Sequence, residues 1–187
     1  MLEPPMRNIE IKLELRDPEL ARAILLRLGA HRVGLAHQRD THYRVVSGRL
    51  LRRDCAHKPT EWVRYDRADR AAPRHSDVRI MTDARARAEL GLIGPQEWLT
   101  VDKSREVWFA SVVTVCLDRV EGLGWFIELR SLVTSDNDDA SAAAAVAAFR
   151  HELTPALGEP VSASYRDLVE HGRSCPGLGA VVEAPTR

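Results

Sequence analysis

The feature that most constrains this chain is an alternation without a slip. In Asn8-Ile9-Glu10-Ile11-Lys12-Leu13-Glu14-Leu15 the aliphatic residues fall on one side, and the amide, acids and lysine on the other. A period of two belongs to a strand with one dry face and one charged face. The pattern returns along the chain. Lys103 and Arg105 share a face in VDKSREV, Glu128 and Arg130 in FIELR, Cys116 and Asp118 in VCLDRVEG, and Val63, Tyr65 and Arg67 in WVRYDR. Strand-like runs cover about 40–46, 49–53, 61–67, 74–81, 99–109, 111–120 and 125–133, with turns at Ser47-Gly48 and at Glu121-Gly122-Leu123-Gly124. Many strands joined by short turns predict an antiparallel sheet or barrel with helices at its rim, an α+β fold.

The helices announce themselves by their ends. Asp17-Pro18-Glu19 is a capping acid, a proline for the first turn and a second acid, and Gly29 closes the run. Further helices are expected at 83–90, at 139–153 after the capping-prone SDNDDAS, and at 164–171. These boundaries predict one domain over 6–171 and a flexible C-terminal tail over 172–187.

A charged strand face ordinarily points to solvent. Here carboxylates (Glu10, Asp118, Glu128) and cations (Lys12, Arg53, Arg67, Lys103, Arg105) recur on strands far apart in sequence, and a closed sheet converges such faces on one lumen. Clustered carboxylates suit a hard cation such as Mg²⁺ or Mn²⁺, and lysine and arginine suit phosphate oxygens. A triphosphate with its metal needs both.

Several classes are disfavoured. Lys+Arg 27 balances Asp+Glu 27, so no bulk basic field argues for nucleic acid. The 3 cysteines lie far apart without CxxC spacing, and the opening MLEPPMRN lacks an apolar signal run; a reducing cytoplasmic setting is expected. No apolar run is long enough for a membrane span. GxxxxGK[ST] and HExxH are both absent. His42 reads as a packed histidine, Gly122 and Gly124 as turn residues, Arg64 as outward, and Arg74 and Ser76 either as surface loop residues or as part of a loop that closes over the substrate.

Six elements in register resemble the CYTH family, the triphosphate tunnel metalloenzymes, which include class IV adenylyl cyclases and thiamine triphosphatases. NIEIK is similar to the family's ExExK strand, and QRDTHYRVVSGRLLRR to its Q-x-D-T-Y hairpin and G-R-L-x-x-R strand. WVRYDRADRAAPRHSD resembles its Y-x-R strand, loop and R-x-S element, and VDKSREVWF its K-x-R strand. LDRVEGLGWFIEL resembles D-x-V-x-G-L-G-x-F-x-E-L, and SASYRDLV the closing S-Y-x-x-L helix.

The resemblance implies an eight-stranded antiparallel β-barrel, a triphosphate tunnel with helices packed outside and at the rim. It implies that Glu10, Asp118 and Glu128 bind Mg²⁺ or Mn²⁺ and, with Lys103, form the catalytic set. It implies that Lys12, Arg53, Arg67, Lys103, Arg105 and Arg130 hold a small-molecule triphosphate. Family members are often dimers, which makes a homodimer an expectation. Three positions depart from the family pattern: Asn8 for the first Glu of ExExK, Leu51 for a common Lys, and Arg130 for a second acid. They tilt the expected activity from the acid-rich triphosphatases toward an adenylyl cyclase making cyclic AMP and pyrophosphate from ATP. The alternatives are a triphosphatase acting on inorganic, thiamine or nucleoside triphosphate, and a non-catalytic module that binds triphosphate or polyphosphate.

Overall fold

The computed structural model describes residues 5–91 and 95–174. The opening alternation forms β1 (Met6–Leu15), and the Asp17 signal forms α1 (Pro18–Arg27), whose capping carboxylate accepts from the Leu20 N–H at 2.9 Å. Then follow β2 (His31–Tyr43), β3 (Arg49–Cys55), β4 (Glu61–Arg67), β5 (Arg74–Thr82) and α2 (Asp83–Leu90). The second half holds β6 (Glu97–Ala110), β7 (Val113–Val120), β8 (Gly124–Leu132), α3 (Asp139–Leu153), a 3₁₀ turn (Thr154–Ala156), β9 (Leu157–Pro160) and α4 (Tyr165–Ser174).

The sheet runs β5-β4-β3-β2-β6-β7-β8-β1, and β5 pairs back onto β1, so eight antiparallel strands close into a barrel. The short β9 adds only to the end of β1, through Leu13 and Leu15. Gly48, at φ +69°, makes the β2–β3 turn, where a Cβ would come within 3.1 Å of the Tyr65 carbonyl oxygen.

Closure gives the alternation its meaning. The dry side of β1 (Ile9, Ile11, Leu13, Leu15) points away from the lumen and joins Val115, Leu117, Ile127 and Leu129 in the main core. Helix α1 covers this layer with Ala21, Ile24 and Leu25, and the alanine-rich α3 with Ala142, Val146 and Leu153. Each buried Leu or Ile contributes roughly 1.5–3 kcal/mol, so this outer layer pins the register of β1. A second outer cluster, Tyr43, Leu50, Trp62 and Met81, lies under Ala86 of α2. A third is internal: Leu99, Val101, Val120 and Phe126 surround Tyr165 from the first turn of α4, plugging one end of the barrel.

Two strand segments differ from expectation. β2 begins at His31, nine residues before the expected start at 40, because residues 31–35 are exposed and show no dry face. β9 is too short to leave a periodic signal. Helix α4 continues past Gly172 to Ser174; the rest of the expected tail, 175–187 with Cys175, lies outside the described residues. Among the described residues no helix is long and apolar enough to cross a membrane.

Candidate active site

The wet side of β1 faces the lumen. Glu10, Lys12, Arg53, Arg67, Lys103, Arg105, Glu128 and Arg130 all line one cavity of about 300 Å³. Eight charged positions read from the sequence are thus brought together from five strands. Six lining cations (Lys12, Arg53, Arg67, Lys103, Arg105, Arg130) meet four lining carboxylates (Glu10, Asp40, Glu61, Glu128). The surplus is positive, and Glu61 sits at the exposed mouth.

Register decides which charges meet. Asp40 lies directly across from Arg53 and accepts from its Nε at 2.7 Å and its Nη2 at 2.8 Å. The Lys103 ammonium closes on the same carboxylate. Burial alone would raise the Asp40 carboxyl, but Lys103 and Arg53 hold it well below the usual range. Lys103 is itself lowered by burial, which Asp40 only partly offsets. Sequence reading missed Asp40. Its signal is the alternation of Gln38, Asp40 and His42 on the inner face of β2, which a strand beginning at 40 cuts short.

Asp118 departs from expectation. It lies across from Arg105, accepting from Nε at 2.7 Å and Nη2 at 2.5 Å, and the Tyr165 hydroxyl donates to it at 2.7 Å. It is fully buried and does not line the cavity, and both oxygens are engaged. Arg105 also donates to Glu128 at 2.8 Å. Burial would raise Glu128, but Arg105, Lys12 and Arg130 hold it well below the carboxylate range.

The region around Glu10 is looser. Its Oε1 is 3.4 Å from Arg67 Nη1 and 3.4 Å from Arg74 Nε, within ion-pair distance but without hydrogen-bond geometry. Among the described residues, Arg67 Nη1 and Arg74 Nε and Nη2 are buried donors with no hydrogen-bond partner. Arg74 and Ser76, expected on a surface loop, are strand residues exposed by only 1% each. The strand-like run over 74–81 covers both residues; what the local sequence does not show is their burial, which comes from the pairing of β5 with β1. Burial and the neighbouring Glu128 carboxylate push Glu10 upward, against Arg67 and Lys12. Lys12, opposite Glu128, donates to the Ala163 carbonyl at 3.2 Å and sits 3.9 Å from the centre of the Tyr165 ring. Burial lowers it to about 8, with Glu128 opposing.

Among the described residues no three His, Cys, Asp or Glu side chains group into a ready metal cage. Of the three expected ligands, Glu10 and Glu128 are oxygen donors on neighbouring strands that face the same cavity, while Asp118 lies behind Arg105. That pair fits a hard divalent cation, which commonly takes one or two carboxylates and fills its remaining positions with substrate phosphates and water.

A family model described as the CYTH domain matches residues 6–165. A comparison with curated proteins finds no match. Solved structures share the fold. A conserved hypothetical protein from Pyrococcus furiosus has a TM-score of 0.68 at 20% identity, covering 86% of this chain and 99% of its own. A candidate adenylate cyclase from Vibrio parahaemolyticus has a TM-score of 0.69 at 13% identity, covering 90% of this chain and 99% of its own. A Hippeastrum candidate adenylyl cyclase, described as having a dominant triphosphatase activity, has a TM-score of 0.59 at 16% identity, with 88% and 96% covered. At such identities the likeness is one of fold.

Proposed function

The chain belongs to the CYTH domain family, and on that premise we propose that it is a metal-dependent triphosphate enzyme, in first place a class IV-like adenylyl cyclase. The observation that carries the triphosphate reading is the set of orphaned donors on Arg67 and Arg74, buried beside a cavity with more cations than carboxylates. An unpaired buried donor costs about 1–3 kcal/mol, more when charged, and a phosphate oxygen removes that cost. At an effective dielectric near 20, each cation within about 4 Å of a phosphate charge supplies on the order of 4 kcal/mol before desolvation.

Glu10 and Glu128 would hold the divalent cation, which supplies Lewis-acid charge against the phosphate oxygens. Lys12, Arg67 and Arg130, which line the cavity, would grip the phosphates, with Arg74 behind them against Glu10. Arg53, Lys103 and Arg105 would add to this grip by exchanging part of their contact with Asp40 and Asp118 for phosphate. Asp118 then acts through Arg105, by fixing its guanidinium plane. Catalysis of this kind is mostly positioning and charge stabilisation.

The acid-poor lumen favours the cyclase reading. A hydrolase must hold and activate a water, whereas a cyclase uses the ribose 3′-hydroxyl already carried by its substrate. Asn8 and Arg130 stand where acid-rich members offer carboxylates, leaving Glu10 and Glu128 as the lining acids that are not clamped as Asp40 is between Arg53 and Lys103. Incubation with ATP and Mg²⁺ or Mn²⁺, with tripolyphosphate and thiamine triphosphate in parallel, tests this. Cyclic AMP with pyrophosphate is the expected product. Orthophosphate without cyclic nucleotide replaces the cyclase by a triphosphatase, and binding without turnover replaces both by a binding module.

A further inference from the structure

The inner wall is not charged all the way round. Leu51 on β3 lies directly across from Val63 on β4, and Val63 directly across from Ile80 on β5. All three line the cavity. Leu51 and Val63 are 4% and 6% exposed, and Ile80 at 46% reaches the mouth. Strands lie about 4.8 Å apart, so the row spans roughly 10 Å of continuous aliphatic surface. Leu51 is also one of the family departures: a cation expected on this wall is replaced by a hydrocarbon.

The row ends on a polar atom. His42 on β2 is the cross-strand neighbour of Leu51, lines the same cavity and is only 3% exposed. Its Nδ1 has no hydrogen-bond partner. Buried polar atoms are nearly always paired, so an orphan aimed into a cavity marks a place for a ligand group. The groups facing the ring include Asp40, Lys103, Arg166 and Asp167, and burial lowers His42 to about 4. The imidazole is therefore neutral at pH 7 and adds no cation for phosphate. An apolar wall with one convergent polar atom is the usual composition of a site for an organic ring.

We propose that the β3–β5 wall is the subsite for the organic part of the substrate, with a planar heterocycle lying on Leu51, Val63 and Ile80 and its polar edge hydrogen-bonded to Nδ1 of His42. This rests on the triphosphate reading and sharpens it. The phosphates lie on Arg67, Arg74 and the β1 and β6 cations, the ring on the aliphatic row further along β3–β5, and the substrate class is an organic triphosphate rather than inorganic tripolyphosphate.

Titrating ATP and tripolyphosphate calorimetrically in EDTA, where metal-dependent turnover stops, separates the two walls. His42→Phe is expected to weaken ATP about tenfold and leave tripolyphosphate within about twofold. Leu51→Lys is expected to weaken ATP and tighten tripolyphosphate several-fold, since it restores a cation. Ile80→Ser, at an exposed position that leaves the fold intact, is expected to weaken ATP alone by about threefold. If every variant shifts both ligands by the same factor, the wall is structural and the proposal is overturned while the triphosphate reading stands. If the unaltered protein binds neither ligand, the triphosphate reading fails and the proposal with it.

Discussion

Two parts of the same lumen use the same residue types and end in opposite states. Around Asp40 and Asp118 the cations are closed: Arg53, Lys103 and Arg105 each meet a carboxylate head-on. Around Glu10 the cations are open: Arg67 and Arg74 share one carboxylate at 3.4 Å and keep unpartnered N–H groups. The difference comes from register and from one residue. Asp40 and Asp118 each sit directly opposite their arginine. On β1, Asn8 brings an amide where a second carboxylate would have divided the load, and its Nδ2 donates to the Met6 carbonyl at 3.4 Å. Closed pairs hold strands in place; the open donors are the ones the proposed function gives to phosphate.

The comparison breaks most visibly at Asp40. Asp40→Ala strands two cations in the wall and is expected to cost about 3–5 kcal/mol in chemical denaturation. Arg67→Met should cost less than half of that, because no hydrogen bond is lost. An equal loss at the two positions would erase the distinction. Glu128→Gln keeps the shape of the side chain and should lower metal-dependent kcat about a hundredfold, about 2.7 kcal/mol, and lower the melting temperature as well, because the charge facing Arg105 and Lys12 is lost. Unchanged turnover removes Glu128 from the metal site. In the open half, Arg67→Met should weaken tripolyphosphate binding about tenfold by calorimetry.

The pH response carries the same contrast. Asp40 and Glu128 are held below the usual carboxylate range, so their contribution is present above the unfolded value near about 4 and is lost as pH falls through their folded values. Glu10 is raised, so its ionised form costs stability, and that cost disappears as pH falls. Denaturation midpoints between pH 2.5 and 7 should drop on the acid side, flatten in Asp40→Asn and keep their drop in Glu10→Gln. Lys12 is lowered to about 8, so stability should rise as pH climbs from about 8 toward 10, where the unfolded chain binds more protons, and Lys12→Met should remove that rise. The smallest effect is expected at Asn8→Glu, which adds a carboxylate to the open half and should tighten Mg²⁺ a few-fold.

Much of this was legible in the sequence, for identifiable reasons. β4, α2 and α3 fall where periodicity and capping residues place them. The inner faces of β1, β6 and β8 were readable because a charge on every second residue leaves no other regular arrangement. Partner choice was not readable. Asp118 was correctly put on the inner face, but only the β6–β7 register shows that Arg105 and Tyr165 occupy its oxygens. Arg74 and Asp40 were missed because burial on a closing strand is a tertiary fact. So was the Tyr165 plug, which depends on where α4 meets the barrel.

The central claim is that the open half receives the triphosphate first. Arginine side-chain NMR during a tripolyphosphate titration tests it directly. The Nε–H signals of Arg67 and Arg74 should move at the lowest ligand concentrations, while Arg53, clamped by Asp40, should hold its position until saturation. Early movement of Arg53 with Arg67 and Arg74 unchanged would contradict the account.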